Sequence, residues 1–321
     1  MSLGEFDLIA RWFTRAPRRV PLGVGDDCAL LQPQPGQQLA VSCDMLVEGR
    51  HFLSTVPPRA LGHKALAVNL SDLAACGARP LAFTLALALP RVDESFLDGF
   101  SAGLWALAQQ HEIDLVGGDT TAGPLNICIT VFGELPVGQA LLRSGARVGD
   151  EIWVSGQLGA ARLALEMMRG SLALDAAAWS QARLAMEQPL PRVALGLALR
   201  GLATAAIDLS DGLIGDLGHV LRRSAVGAEL EWDALPASEC LRGQPEALRR
   251  QCLLTGGDDY ELLFTAPAAA QAAVRSAGEL AATPVTRIGR IVAGSGLRVL
   301  DAQGQCVPIA ALRAFDHFAA P

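Results

Sequence analysis

Leu66-Ala-Val-Asn-Leu-Ser-Asp-Leu-Ala-Ala-Cys-Gly-Ala78 is the stretch whose reading decides this chain. Apolar residues fill almost every position, which predicts a buried helix from about Pro58 to Cys76, ended by Gly77. One carboxylate, Asp72, sits inside it between Leu70, Leu73, Ala74 and Ala75. A buried carboxylate without a partner costs several kcal/mol, so Asp72 calls for a cation or a donor.

Other acidic clusters answer it on both sides. They are Gly25-Asp26-Asp27, Ser42-Cys43-Asp44, Gly117-Gly118-Asp119-Thr120, Asp208-Leu-Ser-Asp211-Gly212 and Gly256-Gly257-Asp258-Asp259, each at the end of an apolar run. Any one aspartate in such a turn commonly satisfies backbone N–H groups. The set as a whole is different, because Lys64 is the only lysine among the 26 lysines and arginines. Converging carboxylates raise one another's pKa unless cations lie between them. Oxygen donors without a histidine–cysteine set point to Mg²⁺ ahead of Mn²⁺ or Ca²⁺. Leu-Ser-Asp72 and Gly-Gly-Asp119 are echoed by Leu-Ser-Asp211 and Gly-Gly-Asp258, but the surrounding patterns differ, which argues for coincidence over duplication.

The 321 residues favour two domains, and 51% hydrophobic with 18% charged residues describes a chain able to bury a large interior. A net charge of −7 argues against non-specific nucleic-acid binding, though not against a phosphorylated substrate carried with metal. The 7 cysteines never stand as Cys-x-x-Cys, a reduced, cytoplasmic pattern without a zinc site. The amphipathic opening segment with Glu5 and Asp7 does not read as a signal peptide, and the apolar run at Leu81–Leu89 is too short to cross a membrane. P-loop, kinase and EF-hand motifs are missing, and no Ser-His-Asp set is suggested. The Gly23-Val-Gly-Asp-Asp turn, with Gly117-Gly118 and Arg143-Ser144-Gly145, suits a triphosphate cradled by backbone N–H groups and metal.

The pattern predicts an α/β (α+β) chain of two domains, 1–138 and 149–321. The first half reads as an amphipathic helix over 3–15, then βββαβαββ. A strand at Gly23–Leu31 is expected to form a hairpin with Leu39–Asp44, bringing Asp27 near Asp44, and Met45–Pro58 is expected to be a loop. Pro136–Asp150 reads as the boundary. The second half alternates short strands and helices from Glu151 to Leu300.

In this order, Gly-Val-Gly-Asp-Asp-Cys-Ala, Ser-Cys-Asp-x-Leu-Val-Glu-Gly-x-His-Phe, Asn-Leu-Ser-Asp-Leu-Ala-Ala-x-Gly-Ala, Gly-Gly-Asp-Thr-Thr, Arg-Ser-Gly-Ala, Asp-Leu-Ser-Asp-Gly-Leu, Gly-Gly-Asp-Asp-Tyr-Glu-Leu and the terminal Phe-Asp-His-Phe resemble the thiamine-monophosphate kinase family over nearly the whole chain. The resemblance implies the aminoimidazole-ribonucleotide-synthetase superfamily architecture. There the N-terminal mixed sheets of two subunits pair into a barrel in a homodimer, and a C-terminal α+β domain completes the site. It implies ATP and thiamine monophosphate as substrates, Mg²⁺ as cofactor and direct in-line transfer. By position it assigns Asp27, Ser42, Cys43, Asp44, Asp72, Asp119, Asp208 and Asp211 to metal, with Asp72, Asp119 and Asp44 central to catalysis. Gly118, Asp119, Arg143 and Ser210 would contact ATP, and His51, Asp258 and Phe315 the thiamine phosphate. Two positions depart from the family: Cys43 replaces threonine and Asp258 replaces glutamate. A thiol is a poor Mg²⁺ ligand, so the backbone oxygen of Cys43 is the donor to expect. The rival readings are another ATP-dependent enzyme of the superfamily and a non-catalytic Mg²⁺–nucleotide sensor.

Overall fold

Helix α2 (Pro58–Ala75), which contains Asp72, is enclosed nearly all round. The computed structural model describes residues 4–309. The chain divides into two compact units, Met1–Leu73 with Ala78–Gly138, and Ala74–Gly77 with Gln139–Pro321.

The first unit opens with a short helix, α1 (Glu5–Leu8), running into a π-helical turn at Ile9–Phe13. Then come strand β1 (Gln37–Val47), α2, β2 (Arg79–Leu89), α3 (Glu94–Gln110), β3 (Asp114–Ala122) and β4 (Asn126–Pro136). The four strands form one mixed sheet in the order β1-β4-β2-β3, in which only β2 and β3 are parallel. Leu73 and Gly77 explain how α2 stops. Gly77 takes a left-handed φ of 68°, and the N–H of Ala78 reaches back to the Leu73 carbonyl at 2.8 Å, closing a Schellman turn. Helices α2 and α3 cross with their backbones nearly touching. A Cβ on Gly62 would meet the Phe100 carbonyl oxygen at 1.9 Å, and one on Gly103 the Arg59 carbonyl oxygen at 1.9 Å.

The sheet alternates as its period requires. Ala40, Ser42, Asp44 and Leu46 pair with Gly133, Val131, Ile129 and Ile127 on the covered face. Leu39, Val41, Cys43 and Met45 lie on the other face and are exposed.

Three expectations fail here. Gly23–Leu31 makes only the isolated bridges Leu22–Leu30 and Val24–Asp26, so the first strand and its hairpin with Leu39–Asp44 are absent, and the order is βαβαββ. β1 pairs with β4 instead, and its ladder continues to Val47, inside the stretch read as a loop. The apolar run Ile113–Val116 predicts a strand that stops at Gly117-Gly118, yet β3 runs through both glycines to Ala122. Periodicity could not tell a glycine-rich turn from a strand because both are short, apolar-flanked runs.

The second unit carries a six-stranded sheet in the order β10-β7-β9-β5-β8-β6. Its strands are β5 (Asp150–Ser155), β6 (Ala205–Asp208), β7 (Gly227–Glu231), β8 (Leu262–Pro267), β9 (Val285–Val292) and β10 (Gly296–Leu300). Helices α4 (Ala160–Met168), α5 (Ala176–Glu187), α6 (Val193–Ala198), α7 (Leu213–Ser224), α8 (Glu246–Thr255) and α9 (Gln271–Leu280) connect them. Its core gathers Ile152, Val154, Leu163, Ile207, Leu217, Leu230, Leu263 and Ile288. Most of these elements lie close to where the apolar runs placed them. The repeat-like echo is coincidental in structure too: Asp72 is inside a helix and Asp211 precedes one, while Gly-Gly-Asp119 is strand and Gly-Gly-Asp258 is turn.

Candidate functional site

In the first unit Asp44, Asp72 and Asp119 sit on regular elements. The Ser42 hydroxyl donates to Asp72 Oδ2 at 2.5 Å, joining β1 to α2. One turn earlier on α2, Asn69 accepts the Asp44 N–H through Oδ1 at 3.0 Å and donates to the Ala65 carbonyl at 3.0 Å. Strand alternation puts Asp44 and Ser42 on the same face, so Ser42, Asp44, Asn69 and Asp72 share one contact between strand and helix. Asp72 is half-buried rather than enclosed, because the side of α2 that carries it meets the polar residues of β1. Its desolvation cost is correspondingly smaller than the sequence suggested.

Cys43 faces away from this contact. Its sulfur lies 3.4 Å from that of Cys128 on the opposite face of the sheet, so of its donors only the carbonyl remains for a metal. All 7 cysteines are free. Burial, reinforced by the hydrogen bond and charge of Cys43, pushes the Cys128 thiol up to about 11.

Asp119 is exposed on β3, beside Gly118, whose φ of 145° is one that side-chain-bearing residues rarely adopt. A Cβ on Gly118 would meet the Leu85 carbonyl oxygen at 1.9 Å, so only glycine allows β3 to pair with β2 here. Asp27 is exposed in the irregular loop, where its N–H donates to Asp26 Oδ1 at 3.0 Å. His51 closes a turn: its Nδ1 accepts the Val47 N–H at 3.0 Å, and buried Lys64 donates to its carbonyl at 3.2 Å. The only lysine therefore ties α2 to the His51 turn.

In the second unit the acids ride on two interlaced turns. Asp208 ends β6 and is buried, while Ser210 and Asp211 lead into α7. The Asp258 N–H donates to the Ser210 carbonyl and the Tyr260 N–H to the Leu209 carbonyl, both at 2.9 Å. Asp258 and Tyr260 hold left-handed φ values of 68° and 49°, a strained arrangement for side-chain-bearing residues. Buried ionic contacts pin that turn. Arg192 grips Glu261 with Nε–Oε2 at 2.7 Å and Nη2–Oε1 at 2.5 Å, and the Ser155 hydroxyl donates to the same carboxylate. Asp259 is half-buried and accepts the Gly159 N–H with both oxygens at 3.0 Å, and loss of water around it holds its carboxyl well above the usual range. Asp216 accepts the N–H groups of Asp211 and Gly212 at 3.0 Å each, and burial pushes its carboxyl up to about 7.

Sequence reasoning missed Asn69, Asp216 and the Arg192–Glu261 pair, and it placed Asp259 in an acidic cluster without its structural role. Asn69 carried the same signal as Asp72, a polar residue in an apolar helix. The other residues looked like ordinary surface charges. Phe315 lies outside the described residues. Among the described residues, no three His, Cys, Asp or Glu side chains converge into a ready metal cage. The donor chemistry still fits Mg²⁺, with oxygen at Ser42, Asp44 and Asp72 and the one nearby thiol turned away. That ion takes one or two carboxylates and completes its octahedron with water and substrate phosphate.

Residues 25–135 match the family model for the N-terminal domain of AIR synthase related proteins, and residues 147–302 match the model for the C-terminal domain. Thiamine-monophosphate kinase of Salmonella typhimurium is 44% identical over 330 residues, covering 100% of both chains. The chain belongs to the thiamine-monophosphate kinase family. The crystal structure of the thiamine-monophosphate kinase from Stenotrophomonas maltophilia K279a superposes with a TM-score of 0.85 at 46% identity, covering 96% of this chain and 99% of that one. A structure described as AaThiL complexed with AMPPCP and TMP gives a TM-score of 0.76 at 30% identity over 88% of each chain. Among thiamine-monophosphate kinases, then, likeness extends over the whole of this chain and not over one domain alone.

Proposed function

We propose that this chain transfers the terminal phosphate of ATP to thiamine monophosphate, giving ADP and thiamine diphosphate. The observation that carries this reading is the full-length likeness to thiamine-monophosphate kinases, in both sequence and fold. The relative solved with AMPPCP and TMP supports the choice of substrates. AMPPCP has a methylene bridge in place of the transferable P–O bond, so it stands in for ATP.

Asp27, Ser42, Asp44, Asp72 and Asp119 of the first unit, with Asp208 and Asp211 of the second, are the Mg²⁺ ligands, and Cys43 contributes through its carbonyl oxygen. Bound Mg²⁺ screens the charge of two polyanions and lines up the reacting phosphates. The chain's own part is positioning. Ser42 and Asn69 fix Asp72 and Asp44 against each other. Gly118, Arg143 and Ser210 hold ATP. His51 accepts a backbone N–H through Nδ1, so its neutral ring carries the proton on Nε2, a donor suited to a phosphate oxygen. Asp258 and Phe315 complete the acceptor site. The nucleophile is a phosphate oxygen already anionic near neutral pH, so transfer is direct and in line and needs no general base.

Residues 1–138 form the nucleotide-binding and dimerising half, and 149–321 supply the remaining site residues. A second copy of the chain covers the apolar sheet face of Leu39, Val41 and Met45, exposed to 41%, 59% and 52%, and pairs the two sheets into a barrel. Among the described residues no helix is long and apolar enough to cross a membrane, and the free thiols suit the cytoplasm.

Mixing the chain with ATP, Mg²⁺ and thiamine monophosphate should yield thiamine diphosphate, read by chromatography. Binding of ATP without product would favour the sensor reading, and phosphorylation of a different acceptor would favour another superfamily enzyme.

A further inference from the structure

A cavity of about 240 Å³ lies within the first unit, at the start of β3. The segment Arg15–Arg18, Trp105 and Gln109 of α3, and Asp114 and Leu115 of β3 line it. It is separate from the acidic site: on the same strand Asp119 comes five residues after Asp114, about 16 Å further along. Nothing in the phosphate transfer proposed above uses these residues.

The cavity presents cations that the protein leaves unneutralised. Trp105 is buried, and its indole N–H donates to the Trp12 carbonyl at 2.8 Å, so its ring is fixed. Arg15 Cζ lies 4.1 Å from the centre of that ring, which seats the guanidinium on an aromatic plate. Asp114 is the one carboxylate among the lining residues, and the backbone takes most of it. Its Oδ2 accepts the N–H groups of Arg18 and Arg19 at 2.7 Å each, and Arg18 Nε reaches Oδ1 only at 3.4 Å. Among the described residues Arg15 has no carboxylate partner, and neither do the Nη groups of Arg18. The two guanidiniums feel each other as well: loss of water, then the Arg18 charge, lower the Arg15 pKa. Both remain charged at pH 7.

Charge and volume together select the ligand. Guanidinium forks match the oxygens of an anion, and two of them match a dianion, which favours a phosphate over a single carboxylate. The volume is several times the roughly 30 Å³ of one water molecule, more than a bare phosphate fills, and Trp105 and Leu115 add apolar lining. The anion therefore carries an organic body. A long polyanion is disfavoured, because outside the cavity it would meet a molecule of net charge −7. We propose that this cavity binds a small organic phosphate monoester, its phosphate at Arg15 and Arg18 and its body against Trp105 and Leu115. The Gln109 amide serves a hydroxyl or carbonyl of that body. The arginines supply the positive charge themselves, so binding here needs no metal, in contrast to the acidic site.

The test titrates phenyl phosphate, with inorganic phosphate as the comparison, into the intact chain by calorimetry in EDTA. Without a divalent cation the acidic site repels both probes, so heat reports the arginine cavity. The wild-type chain should bind phenyl phosphate about tenfold more tightly than inorganic phosphate. Arg15→Gln and Arg18→Gln should each weaken phenyl phosphate about tenfold. Their melting temperatures, and the KM for thiamine monophosphate measured with Mg²⁺, should stay at the wild-type values. Absence of phenyl phosphate binding by the wild-type chain overturns the proposal. So does affinity kept in both glutamine variants, and so does inorganic phosphate bound as tightly as phenyl phosphate, which would leave the organic body no part in the cavity. The outcome is independent of the kinase reading, which is tested by product formation with Mg²⁺ present.

Discussion

The two units present acidic residues in opposite ways. In the first, Ser42, Asp44 and Asp72 project from a strand and a helix whose backbones are regular, and two side-chain hydrogen bonds align them. In the second, Asp211 and Asp258 ride on interlaced turns, one of which holds two left-handed non-glycine residues. Regular elements fix a side chain through packing and need little else. A strained turn needs anchors, and here those are the buried Arg192–Glu261 pair and the Asp259 carboxyl bound to the Gly159 N–H. Rigidity at the two places therefore has different origins, and different substitutions should damage each.

The largest effect is expected at Asp72. Asp72→Asn keeps an acceptor for Ser42 but removes the charge, so turnover should fall at least about 100-fold while the melting curve stays close to wild type. Retained turnover would make Asp72 a structural residue and erase the contrast on the first side. Next comes the anchor of the second side. Arg192→Leu leaves Glu261 buried without its cation and should cost about 3–5 kcal/mol in urea unfolding; a loss below about 1 kcal/mol would show that the turn is held by something else.

Smaller changes sharpen the picture. Asp258→Gly relieves the left-handed strain and should stabilise the fold by about 1 kcal/mol while raising the KM for thiamine monophosphate. A stabilised variant with unchanged KM would separate the strain from substrate binding. The last concerns Asp259, whose folded pKa is raised by burial above its unfolded value. From the unfolded pKa upward the folded state keeps a proton that the unfolded chain has lost, so stability falls as pH rises until the folded pKa is passed. Asp259→Asn removes that titration. Its stability relative to wild type should improve as pH rises from about 4 toward the folded pKa, by up to about 1.4 kcal/mol per pH unit. Parallel pH profiles of urea midpoint would refute a raised Asp259 pKa in the folded chain.

Much of this was legible in the residues. The apolar run at 58–75, its Gly77 stop and the alternation of strands and helices in the second unit follow from periodicity and local stops, which act over a few residues. Gly23–Leu31 was misread because a strand needs a neighbour, and β1 found that neighbour in β4, some ninety residues away in sequence. The pairing of Arg192 with Glu261 gave no signal, because two charged residues 69 positions apart announce no contact until the fold buries them together.

By itself the sequence determined which residues are acidic, where helices stop, and through its ordered motifs the family. Only the tertiary structure decided that Asp72 meets Ser42, that the Cys43 thiol turns to the opposite sheet face, and that Asp258 sits in a left-handed turn tied to Ser210. The physical reason is range. Propensity and pattern act between near neighbours, whereas strand register, burial of a charge and the partner of a hydrogen bond depend on segments that meet only after the chain has folded.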